Sequence, residues 1–180
     1  MAIDGSKPFL VLDGHPGPGY EKLTDLVVFS PDSRRVAYVA GSNGDMAAII
    51  DGKANGHYDD VYGIAFSPDS RHVAYDASSI AGKPLGEYGE KNFIVVDGQT
   101  GPLFNFIPGG SLVYGPDGRH LAYLAQLGHK WAIVVDGQQS AWYDSIPSGA
   151  RPVFDGPNAL HTIAARANKI YRVDIALTGK

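Results

Sequence analysis

The stretch FSPDSRRVAYVA at residues 29–40 decides the fold, because the chain repeats it. FSPDSRHVAYDA follows at 66–77, YGPDGRHLAYLA at 114–125 and a degenerate FDGPNALHTIAA at 154–165. A second element alternates with the first: FLVLDG (9–14), AIIDG (48–52), IVVDG (94–98) and IVVDG (133–137). The spacing is regular. An aromatic stands seven residues after the Asp of each of these four segments: Tyr20 after Asp13, Tyr58 after Asp51, Phe104 after Asp97 and Tyr143 after Asp136. The Pro and the Tyr of the AY pair are also seven apart in three copies: Pro31 and Tyr38, Pro68 and Tyr75, Pro116 and Tyr123. In the fourth copy the same count from Pro157 puts Ala164 in the Tyr place.

Each repeat reads as short strands. PDS and PDG are turn chemistry, since Pro presets φ and Asp or Ser bonds the local backbone. The RHVAY that follows alternates, with Val73, Tyr75 and Ala77 on one face and His72, Ala74 and Asp76 on the other. The VVDG runs are β-branched and continuous, which suits strands covered on both faces. Helices find little room, because Gly or Pro breaks nearly every window up to residue 162. One unit is therefore four strands: A (Val27–Ser30), B (Arg35–Ala40), C (Ala47–Asp51) and D (around Tyr58). Four-stranded units recurring every 37 to 48 residues predict a small all-β propeller. One twisted sheet cannot bury both its faces alone, and stacking sheets side by side buries them.

The units run approximately 1–25 (partial), 26–62, 63–110, 111–150 and 151–180 (partial), in a single domain. Their strands come to seventeen, one more than four blades of four. The expected closure pairs Lys169–Ile175 with the N-terminal segment in a hybrid last blade, leaving FLVLD as a fifth, outer strand. An incomplete five-bladed ring and a ring completed by dimerisation are the alternatives.

FSPDSRRVAYVA and FSPDSRHVAYDA resemble the repeats of TolB-type, WD-like bacterial propellers. The VVDG element with its following aromatic resembles a subgroup of those proteins. The resemblance spans residues 8 to about 175 and lies in turn and core positions. It implies a propeller that serves as an interaction scaffold. Relatives include periplasmic accessory proteins and peptidase-attached propellers. The last repeat departs from the pattern, as terminal repeats do.

Composition narrows the function. Of 180 residues none is Cys, so disulfides, thiolate metal sites and Cys nucleophiles are excluded. A net charge of −4 gives no basic footprint for nucleic acid or anionic membrane. The first residues lack the basic and long apolar regions of a signal peptide, so a soluble protein is expected, with its compartment unassigned. No HExxH, GxSxG, GxxxxGK[ST] or strand-following GxGxxG occurs, and no catalytic residue, metal ligand or cofactor is assigned.

The A–B and C–D turns are nearly identical in every copy, so that end of the propeller reads as structural. The B–C and D–A connections vary and carry the expected site. The second B–C connection runs 22 residues from Tyr75 to Asp97 against 13 in its neighbours, and it includes Tyr88. The D–A loops are EKLTD (21–25), DDVYG (59–63), NFIPGG (105–110) and DSIPSGA (144–150). Glu21, Asp59, Asn105 and Asp144 take the same place in these loops. They read either as a polar ring for a ligand near the axis or as caps on local backbone. Tyr62, Phe106, Tyr88 and Trp131 could offer aromatic surface, core packing being the commoner fate of Phe and Trp. His72, His120 and His161 recur at one counted position. Equivalent B-strand positions on adjacent blades lie on the order of 14 Å apart, too far to share a metal ion.

The expected function is a non-enzymatic scaffold that binds a protein, peptide or small molecule on the variable face, as monomer or homodimer. A propeller hydrolase or lyase using Glu21, Asp59 and Asp144 is one alternative, and a structural oligomerisation unit another.

Overall fold

The computed structural model describes residues 2–4, 7–79 and 91–178. Every regular element in it is a β-strand. The first blade is β5 (Lys22–Phe29), β6 (Val36–Ser42), β7 (Asp45–Ile50) and β8 (Lys53–Tyr58), hydrogen-bonded in that order. The second is β9 (Asp60–Phe66), β10 (Val73–Ser79), β11 (Lys91–Val96) and β12 (Gln99–Thr100). The third is β13 (Val113–Tyr114), β14 (Leu121–Leu127), β15 (Lys130–Val135) and β16 (Gln138–Gln139). The last blade has three strands, β17 (Val153–Gly156), β18 (Ala159–Arg166) and β19 (Lys169–Ala176). Two short ribbons precede them, β1 (Ala2–Asp4) with β2 (Lys7–Phe9) and β3 (Val11–Leu12) with β4 (His15–Pro16). All pairings are antiparallel.

The repeated residues make repeated turns. Asp13, Asp51, Asp97 and Asp136 stand at φ of 49–51°, each followed by a Gly at 77–82°. Positive φ at both central residues is the requirement of the type I′ hairpin, whose twist matches the strands it joins. In the first two PDS turns the Ser before the Pro donates to the turn Asp: Ser30 Oγ to Asp32 at 2.6 Å, Ser67 Oγ to Asp69 at 2.5 Å. The third copy has Gly115 in place of that Ser and keeps only the Arg119 amide on Asp117.

Alternation along strand B builds the stack. Ala37 and Val39 face the second blade and pack with Val73, Tyr75 and Phe93. Tyr38 and Ala40 face backward onto Leu10 and Tyr20. The same division recurs between the second and third blades, around Ile94, Phe104 and Tyr123, and between the third and last, around Leu124, Ile133 and Leu160. In the first three copies the aromatic seven residues after the DG packs edge-on against the strand-B tyrosine of the following blade. Ring centroids are 6.1 Å apart for Tyr20–Tyr38, 5.8 Å for Tyr58–Tyr75 and 6.1 Å for Phe104–Tyr123. Burial pushes the phenols of Tyr38, Tyr75 and Tyr123 far above their usual range.

Three expectations are corrected. First, the last repeat is in a different register. Phe154 pairs with Leu160 where Tyr114 pairs with Leu121, so the connecting turn is one residue shorter. Thr162, not Ala164, takes the Tyr place, and Tyr143 meets the Arg166 guanidinium at 4.8 Å instead of a tyrosine ring. His161 consequently sits two residues along strand B from the place of His120, against Asp155 at 2.8 Å.

Second, the hybrid closing blade does not form among the described residues. Lys169–Ala176 pairs only with β18. FLVLD is not an outer strand, because β2 lies between β1 and the segment at Tyr20, whose amide donates to the Pro8 carbonyl at 2.9 Å. The slot that β19 would have used beside β2 is filled by Ala2–Asp4.

Third, EKLTD and DDVYG are largely strand rather than loop, inside β5 and β9. NFIPGG and DSIPSGA remain connections, since a Pro in each removes a ladder donor. The stack is thus three complete blades flanked by partial sheets.

Candidate ligand-binding site

The turn end of the blades is fastened by one device used three times. The DG aspartate accepts the first amide of strand B on Oδ1 and the preceding side chain on Oδ2. Val36 N and Arg35 Nε reach Asp51 at 3.1 and 2.9 Å. Val73 N and His72 Nδ1 reach Asp97 at 3.0 and 2.6 Å, and Leu121 N and His120 Nδ1 reach Asp136 at 3.0 and 2.7 Å. The recurrent Arg/His position therefore closes a turn, with each imidazole held by its own carboxylate. Adjacent turns also touch, as Asp32 N donates to Ser70 Oγ at 3.1 Å and Arg35 Nη1 to the Arg71 carbonyl at 3.0 Å.

At the opposite end the residues following three of the aromatics, Tyr58, Phe104 and Tyr143, are equivalent in space. The amides of Asp59, Asn105 and Asp144 donate to the carbonyls of Ser78, Gln126 and Ala165 at 3.0, 2.8 and 2.8 Å. Each therefore stitches one blade to the strand-B end of the next. Two of the side chains complete that stitch. Asn105 Oδ1 accepts the Gly128 amide and Asp144 Oδ2 the Ala167 amide, both at 2.8 Å, capping the B–C turn of the following blade. Lys130 also pairs with Asp144. That ammonium and the Ala167 amide hold the Asp144 carboxyl below its usual range. Glu21 is exposed and lines a shallow depression of about 280 Å³ with Tyr20, Asp45 and His57. Asp59 is half-buried. None of the five cavities described for the molecule gathers the four residues into one pocket.

The aromatic surface is partly where the sequence placed it. Tyr62 is 49% exposed on β9, its hydroxyl 3.3 Å from Ser78 Oγ. Phe106 is 47% exposed and leans edge-on at 6.0 Å on Trp131, which is itself half-buried. Leu127, 41% exposed, follows Gln126, the residue that bridges Phe106 to strand B. Tyr88 lies outside the described residues, as does most of the long second B–C connection.

The two largest of these five cavities open at the turn end, where the repeats are most alike. One of about 460 Å³ lies between the second and third blades, lined by His72, Asp97, Thr100, Tyr114, Arg119 and Asp136. A second, of about 400 Å³, lies between the third and last blades beside Asp136, Gln138 and Ile175. Burial and the nearby charges of Asp97 and Asp69 push the Tyr114 phenol upward. Each cleft is assembled from two blades, so residues about forty positions apart meet in it, and no local motif announces it.

No family model and no curated protein matches the chain. Solved structures do. The β-propeller domain of the Trilobed protease from Pyrococcus furiosus, described as having an open velcro topology, aligns at 14% identity and a TM-score of 0.51, over 88% of this chain and 55% of that one. Kuenenia stuttgartiensis hydrazine synthase aligns at 12% identity and a TM-score of 0.50, over 89% of this chain and 60% of that one. TolB from Acinetobacter baumannii aligns at 13% identity and a TM-score of 0.48, over 89% and 42%. The chain spans about half the length of the solved structures it matches. Among the described residues no helix is long and apolar enough to cross a membrane. The sheets, their order and the two neighbours aligned at TM-scores of 0.51 and 0.50 together make the chain an all-β protein of the β-propeller fold.

Proposed function

We propose that the protein is a non-enzymatic recognition scaffold that binds a protein or peptide at its loop end. One observation carries the reading. At that end Asn105 and Asp144 are committed to turn amides, while Tyr62 and Phe106 stand exposed, Phe106 resting on the half-buried Trp131. Rigid aromatics on a strand scaffold give contact area at low entropic cost, the usual currency of protein recognition. The enzyme alternative is weaker here. It needs a carboxylate with a raised pKa as acid or a free one as base, and Asp144 is lowered and held by Lys130. We further propose that the chain is one domain of TolB-type repeats, on the strength of FSPDSRRVAYVA and FSPDSRHVAYDA, and that Glu21, Asp59 and Tyr88 contribute to the rim of the same surface.

The test is selection of ligands from a displayed random-peptide library against the immobilised 180-residue chain. Selected peptides should lose binding on Phe106→Ser, and on Tyr62→Ser to a lesser degree, with the unfolding midpoint nearly unchanged. Failure to select any peptide, or selected peptides indifferent to both substitutions, would discard the reading. Turnover of generic ester, peptide or glycoside substrates that Asp59→Asn abolishes would favour the enzyme alternative.

A further inference from the structure

Each complete blade ends in a fourth strand laid along its third. The last blade does not. Among the described residues, β19 has β18 on one side and no strand on the other. This is an eight-residue edge, KIYRVDIA, with no Pro or Gly to interrupt it. An open edge of that length offers unpaired amides and carbonyls to another strand. Charges on edge strands commonly prevent such pairing, yet here the two central ones are of opposite sign and two residues apart. Arg172 and Asp174 lie on one face with their side chains 59% and 64% exposed, joined at 2.8 Å, and Arg172 also lies 3.7 Å from Asp155. Ile170 shares that face and is 70% exposed.

We infer that a second copy of this chain occupies the edge, its β19 antiparallel to the first about a twofold axis at Val173. Symmetry restricts the choice of register. A twofold axis perpendicular to the sheet keeps each face on its own side, so a residue meets one of its own parity. Centring on Val173 puts Arg172 opposite the Asp174 of the second copy, twice over, and Tyr171 opposite Ile175. Sliding the centre one residue to Arg172 sets two guanidinium groups face to face, and sliding it to Asp174 sets two carboxylates so. Opposed like charges on paired strands destabilise and opposite charges stabilise. The sequence therefore favours one register of self-pairing over both neighbours. The result is a continuous six-stranded sheet across two molecules, independent of the loop-end recognition surface.

The test uses light scattering and sedimentation of the 180-residue chain over a dilution series. A reversible monomer–dimer equilibrium is expected. Arg172→Glu should weaken it about tenfold or more, since two symmetry-related pairs turn repulsive together. The exchange Arg172→Asp with Asp174→Arg should restore it. The chain has no cysteine, so Val173→Cys reports directly. It should yield a covalent dimer under mild oxidant, whereas Tyr171→Cys, roughly 13 Å from its mate in this register, should not. Circular dichroism verifies that each variant is folded. A wild-type chain that stays monomeric throughout, a dimer indifferent to the charge reversal, or crosslinking through residue 171 in preference to 173 overturns the proposal.

Discussion

Tyr58 reaches out of the first blade and sets its hydroxyl 3.0 Å from that of Tyr75 in the second, ring edge to ring face. Tyr75 is wholly buried and also donates to the Asn55 carbonyl at 3.2 Å. One side chain thus joins two sheets by packing and by hydrogen bonding. Tyr75→Ala should cost about 3–5 kcal/mol, as large aromatic truncations do. Tyr75→Phe, which keeps the ring, should cost about 1 kcal/mol. Urea denaturation separates the two, and equal losses would mean that the ring packing is not what holds the blades together.

Asp136 accepts both the Leu121 amide and the buried His120 side chain. Its replacement by Ala strands two donors in a nearly closed turn, and should cost about 2 kcal/mol. The equivalent change at Asp97 releases a half-exposed His72 and should cost less. Thermal unfolding of the two variants, side by side, checks the order.

Asp32 and Asp69 are held below the ordinary carboxylate value of 3.8, first by the hydroxyls of Ser30 and Ser67 and then by the amides of Arg34 and Arg71. A carboxyl depressed in the folded state adds stability above its unfolded value and loses it as pH falls toward the folded one. Ser67→Ala should therefore lower the melting temperature at neutral pH and matter less and less below pH 3.8. A gap between variant and wild type that widens in acid would contradict the assignment.

Asp144 combines an exposed ion pair to Lys130 with a cap on the Ala167 amide. Asp144→Asn keeps the acceptor and loses only the screened charge, so the thermal midpoint should hardly move. Asp144→Leu removes the cap and should lower it. If both variants behave alike, the cap is not what the residue supplies.

The repeat grammar was readable because each of its letters has a local cause. Asp–Gly adopts the left-handed pair a tight hairpin requires, and the aromatic that follows it lands on the next blade's tyrosine. Reading failed where the cause was an absence. One residue fewer before Leu160 moved Thr162 into the tyrosine place, and counting from Pro157 could not show it. The pairing of Ala2–Asp4 with Lys7–Phe9, which fills the closing slot, left no mark in the repeat pattern. The equivalence of Asp59, Asn105 and Asp144 was visible in the sequence. Capping was one of the two readings offered, but that Asn105 and Asp144 cap Gly128 and Ala167 was not legible, because those amides belong to the following repeat. The turn-end clefts escaped for the same reason.

The outward face of the last blade differs from those inside the stack. Where the third blade presents Ala122, Leu124, Ile133 and Val135 to its neighbour, the last presents His161, Ile163, Arg172 and Asp174 at the matching positions. A surface so charged wets readily and repels a further greasy sheet. Exchange of amide protons should be fastest in that blade and slow progressively toward the middle two.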